Sequence, residues 1–123
     1  MKTTLGFVAT VFFGLVLSYS LPSLWAWEDE CYFFTNLNPG IKLLLAVDTQ
    51  SLKNPKLESA PGQKSNGVFP LAWYHEFDGG RVFYTSLGHK IEYYSDPVFR
   101  RHVLGGIRWV LGENAPLQTS LVP

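Results

Sequence analysis

The stretch Pro70–His89, PLAWYHEFDGGRVFYTSLGH, decides the fold reading. Two aromatic and β-branched runs, Leu71–Phe77 and Gly80–Leu87, flank the dipeptide Asp78-Gly79. Asp-Gly between such runs is the strongest short hairpin signal, because both turn residues must tolerate positive φ. A two-residue turn there sets Phe77 opposite Gly80, Glu76 opposite Arg81, His75 opposite Val82 and Trp73 opposite Tyr84. Glu76 and Arg81 are then placed for a cross-strand ion pair worth ~0.2–1 kcal/mol. Gly88-His89 breaks the alternation at the end of the second strand.

C-terminal to the hairpin, Ser95-Asp96-Pro97 reads as a helix start. Asp96 is the expected N-cap and Pro97 the first helical residue, where its missing N–H is not needed. Phe99, Val103, Ile107 and Val110 recur at spacings of three and four, which predicts the buried face. Gly105-Gly106 inside the helix costs about 1 kcal/mol per glycine. Such a pair implies that the helix backbone lies close against a sheet. Gly112 is the expected helix end.

N-terminal to the hairpin, Ile41–Asp48 is an apolar run between turn signals, the pattern of a strand buried on both faces. Asn36–Gly40 reads as a turn. Thr49–Gly67, with Pro55, Pro61, Gly62 and Gly67, reads as a surface loop with one helical turn near Ser51–Leu57. Lys2 is the sole charge before Glu28, and Leu5–Leu17 is continuously apolar or small. Followed by Ser18-Tyr19-Ser20, this resembles a secretory signal peptide, and its extension to Leu24 approaches the length of a membrane anchor. The expected division is therefore a signal or anchor over 1–20, a domain over 21–112 and a loose tail over 113–123. It places the protein outside the cytoplasm or on a membrane through residues 5–24, or in the cytoplasm if the lead is not a true chain start.

Composition narrows the partners. Hydrophobic residues are 46% and aromatics 15%, so the chain is not a disordered one. Ten basic residues balance ten acidic ones without a basic stripe, which argues against nucleic acid. The single Cys31 cannot form an internal disulfide, and no Cys/His spacing suggests a structural zinc site. Residue types alone assign no metal and no cofactor.

The hairpin sequence, together with Asp96–Arg101, Gly106–Trp109, the acidic-aromatic segment Trp27–Phe34 and the run Lys42–Asp48, resembles the C-terminal half of trehalose-utilisation (ThuA-like) domains. The resemblance implies an α/β fold: part of a flavodoxin-like, class I glutamine amidotransferase-like three-layer sandwich. Such a fold places its site at the carboxyl ends of the strands. It further implies a small-molecule carbohydrate ligand. Related amidotransferases carry their nucleophilic cysteine in the other half, so Cys31 is not assigned that role, and Glu28, Asp29 and Glu30 are expected to raise its pKa.

His89 is the leading site candidate, since a histidine stands at a similar place in amidotransferase-like folds and Gly88 frees the backbone to present it. An imidazole titrates near neutrality and suits proton transfer. Glu30 is the second catalytic candidate, and Asp29, Tyr84 and Trp73 are candidates for contact with sugar. Arg81 is read as the partner of Glu76, and His75 and His102 as structural or solvent-facing. Ile41–Asp48 lacks obvious neighbours, which leads to an expectation of self-association or of a half-domain without independent activity.

Overall fold

The computed structural model describes residues 2–11, 21–22, 24–48, 64–65 and 68–112. Five strands form one sheet: β1 (Lys2–Val11), β2 (Leu24–Tyr32), β3 (Lys42–Val47), β4 (Pro70–Phe77) and β5 (Gly80–Thr85). Their order is β2-β1-β3-β4-β5. A 3-10 turn (Ile91–Ser95) and helix α1 (Pro97–Val110) follow.

The hairpin has the expected register. Phe77 pairs with Gly80, Glu76 with Arg81, His75 with Val82 and Trp73 with Tyr84. Asp78 and Gly79 take φ values of 50° and 75°, the primed-turn geometry that matches strand twist. Leu44, Leu45, Ala46 and Val47 of β3 are buried as predicted, at or below 1% exposure, whereas Lys42 at its start is exposed and Leu43 is half-buried.

Its neighbours, however, are present. Strand β3 pairs with β4 on one side and with β1 on the other, Ala9 standing opposite Val47 and Val11 opposite Leu45. The N-terminal run read as a separate lead thus supplies the missing pairing partner over Lys2–Val11. Residues 12–20, the loop 49–63 with its expected helical turn, and the tail 113–123 lie outside the described residues. Among the described residues no helix is long and apolar enough to cross a membrane.

Every strand pair is antiparallel. The doubly wound parallel sheet implied by the resemblance is not what these elements form. Parallel neighbours need a crossover, usually a helix, and the only α-helix among the described residues comes after the last strand. The coarser expectation holds: this is a small α/β unit with one helix on its sheet.

Asp96 caps α1, its Oδ1 accepting from the Phe99 N–H at 2.8 Å, with Pro97 at the first turn. The buried face of the helix differs from the predicted one. It is Phe99, His102, Gly105, Gly106 and Trp109, while Ile107 and Val110 are about half exposed. The glycine pair explains the rotation. A Cβ on Gly106 would lie 2.2 Å from the Phe83 ring, so α1 docks through its bare backbone rather than through its aliphatic stripe. Apolar Leu104, Ile107 and Leu111 then face outward. Trp109 packs edge-on to Tyr74, with ring centroids 4.9 Å apart, and the Arg81 guanidinium lies 4.4 Å over its indole and donates to its carbonyl.

His102, read as structural or solvent-facing, is structural, at 2% exposure. Its Nε2 sits 3.0 Å from Thr85 Oγ1 among Trp25, Phe83 and Phe99. Burial pushes the imidazole down from 6.5 to about 4.

Two predictions follow from this packing. Gly→Ala within a helix ordinarily stabilises by about 1 kcal/mol, but Gly106→Ala is expected to destabilise by about 1–3 kcal/mol through overpacking against Phe83. Urea denaturation measures it, and a stabilised variant would refute close docking. The unfolded chain takes up the His102 proton near 6.5 and the folded chain only near 4. This contribution is therefore complete above pH 6.5, is lost as pH falls toward 4, and amounts to ~3 kcal/mol. His102→Gln should lose less stability than wild type between pH 7.5 and pH 4. Equal losses would show that this histidine is not the group responsible.

Candidate functional site

Strand β2 alternates, as a half-buried strand must. Trp25, Trp27 and Asp29 point toward the helix side, and Glu28, Glu30 and Tyr32 point the other way. Trp27 stacks on Phe99 at 5.4 Å and meets Trp25 and Tyr93 at 4.6 Å. This aromatic layer joins β2 to α1 and to the 3-10 turn.

Asp29 is 1% exposed. A buried carboxylate is tolerated only when its oxygens are hydrogen-bonded, and here four N–H groups supply the bonds. Oδ2 accepts from Trp27 Nε1 at 3.1 Å, Gly88 N at 2.7 Å and His89 N at 3.4 Å, while Oδ1 accepts from Glu30 N at 2.8 Å. Asp29 thereby ties the segment after β5 to β2, some sixty residues away in sequence. Gly88 permits the approach, having φ of +103° and Phe99 Cζ only 2.7 Å from where a Cβ would stand.

His89 emerges from this latch onto the surface, with its side chain 52% exposed. Its Nδ1 lies 3.5 Å from Glu30 Oε2, and the Glu30 side chain is 8% exposed. The same carboxylate oxygen accepts from the Tyr32 hydroxyl. The structure thus brings the two catalytic candidates together and adds Tyr32, which sequence reading missed although the two-residue step from Glu30 puts it on the same face. Beside them, Lys90 Nζ lies 3.4 Å from Glu28 Oε1, and the Tyr93 hydroxyl donates to the Glu28 carbonyl.

The two aromatic candidates also meet. Trp73 and Tyr84 stack at 4.2 Å and 24°, and Phe34 packs edge-on to both at 5.1 Å and 5.5 Å. Trp73 is buried and Tyr84 half-buried. Burial raises the Tyr84 hydroxyl above its ordinary pKa, and the neighbouring Tyr32 and Cys31 add to the effect. It is therefore an O–H donor at neutral pH. Its proximity to Tyr32 links the stack to the Glu30–His89 pair.

Burial pushes the Cys31 thiol up to about 11. The expected direction is right, but its cause is desolvation rather than the acidic neighbours. A protonated, enclosed thiol is no nucleophile. No group of three or more His, Cys, Asp or Glu able to hold a metal ion occurs among the described residues.

A nearly buried carboxylate thus stands beside a surface imidazole, and an aromatic stack lies on the same α/β unit. The family model for ThuA, described as trehalose utilisation, matches residues 16–110, and the chain belongs to that family. No curated protein and no solved structure matches it.

The latch sets a clear expectation. Asp29→Ala strips the acceptor from four N–H groups and should cost about 3 kcal/mol or more. Asp29→Asn, which keeps one acceptor oxygen, should cost less. Chemical denaturation of the two variants measures the difference, and an Asp29→Ala protein as stable as wild type would rule out the latch.

Proposed function

We propose that the protein acts on an uncharged carbohydrate by moving a proton from a carbon next to a carbonyl, the C–H electron pair passing to the carbonyl oxygen as an enediol, with His89 as proton acceptor and Glu30 as its partner. The observation that carries this reading is the 3.5 Å approach of His89 Nδ1 to the nearly buried Glu30 carboxylate. A carboxylate on Nδ1 favours the tautomer whose Nε2 lone pair faces outward, and stabilises the imidazolium once the proton is taken. Asp29 holds the backbone of His89, so the ring starts from a fixed position. Tyr84, Trp73 and Phe34 supply an apolar wall suited to a sugar face, with the Tyr84 hydroxyl as a donor. The family description supports carbohydrate as the ligand class.

A second reading is a non-catalytic sugar-binding module, favoured by the Trp73–Tyr84 stack, which recognises a ring without reacting with it. Both readings are tested on a panel of trehalose, related disaccharides and their keto derivatives. The catalytic reading expects turnover by the wild type and a loss of roughly 100-fold or more in His89→Ala, with the thermal midpoint little changed. Turnover that survives His89→Ala overturns it. Binding that depends on Trp73 and Tyr84, with no turnover of any member, establishes the second reading instead.

A further inference from the structure

Tyr32 and His89 converge on one atom, Glu30 Oε2. A carboxylate with 8% side-chain exposure has few waters to satisfy it or to hold its torsion, so its protein donors decide where each oxygen points and whether it remains ionised. Tyr32 is a donor on the same strand face, two residues on, and its position follows from the pleat rather than from a mobile loop. His89, by contrast, is half exposed, at the end of a turn, and 3.5 Å away. The stiff partner positions the carboxylate, and the carboxylate positions the looser one.

We propose that Tyr32 is the positioning residue of this site: its hydroxyl aims Glu30 Oε2 at His89 and so keeps the imidazole proton on Nδ1 and leaves the Nε2 lone pair free to accept a proton. The proposal rests on the pairing of His89 with Glu30 set out above. Which ring nitrogen carries the proton is set by the hydrogen bond the other nitrogen makes, so a residue that controls Glu30 controls the tautomer without touching substrate. Glu28 faces Lys90, Asp29 is turned to the backbone N–H groups, and Tyr93 donates to the Glu28 carbonyl.

The test is nitrogen-15 NMR of the imidazoles in the full chain, where Nδ1–H and Nε2–H forms have distinct shift patterns. Wild type is expected to show His89 mainly as Nδ1–H at a pH above its titration. Tyr32→Phe should reduce the Nδ1–H share by roughly two-fold or more, with His102 unchanged as the internal control. Glu30→Gln should remove the preference. If Tyr32→Phe matches wild type while Glu30→Gln does not, the pair stands and the role of Tyr32 is refuted. If neither variant changes His89, the pairing itself fails and the proposal with it. Should Tyr32→Phe fail to fold, 3-fluorotyrosine at position 32, a more acidic donor, changes the strength of the same bond in the opposite sense. An unaltered His89 in that protein overturns the proposal equally.

Discussion

The constraint on which the site depends is the burial of a charged carboxylate. Asp29 is enclosed by its own strand, by the Trp27 indole and by the segment after β5, and burying it is tolerable only because N–H groups from all three surround it. Two of those donors are the backbone of Gly88 and His89, which no side-chain substitution at 89 would remove. The bond closes a long loop in sequence, and its entropic cost is offset by charge-assisted hydrogen bonds in a low-dielectric setting. The Trp27–Phe99 stack, the Gly88 conformation and the exit direction of His89 all presuppose it. Lys90, Tyr93 and His89 add contacts to β2, but only the Asp29 carboxylate grips the backbone of the segment from within the core.

How much of this was legible depends on how local each signal is. Hairpin register could be read because alternation and turn chemistry involve neighbours only, and Asp96-Pro97 likewise carries its helix-start meaning within one turn of chain. The buried face of α1 could not be read from periodicity. Phe99, Val103, Ile107 and Val110 form a fair apolar stripe, yet the sheet offers Phe83 at a height that only a bare glycine backbone can meet. The close approach at Gly106 fixes the rotation of the helix as well as its distance from the sheet. His102 followed the glycines inward for the same reason.

Strand pairing was the least legible layer. Lys42–Val47 announced double burial, but nothing within it names its partners, and β1 pairs with it across more than thirty residues. An apolar run near a chain start has the composition of a targeting segment and of a central strand alike. Composition does not separate the two, and the antiparallel neighbours of β1 on both sides are what give Lys2–Val11 its place among the described elements.

Within the site, Asp29 and Glu30 looked interchangeable as sequence, two carboxylates in an acidic triplet. The pleat separates them onto opposite faces, and their partners then separate their chemistry. Asp29 meets only N–H donors, three of them backbone amides and the fourth an indole, none of which exchanges a proton with a carboxylate near neutral pH. With those bonds it occupies nearly the whole acceptor capacity of its two oxygens and is chemically silent. Glu30 meets a phenol and an imidazole. Both partners have side-chain hydrogens on groups that are themselves weak acids or bases, unlike an amide or an indole. A one-residue step along β2 therefore separates a carboxylate held by amides and an indole from one that faces a phenol and an imidazole, and the difference lies in the partners rather than in the acid.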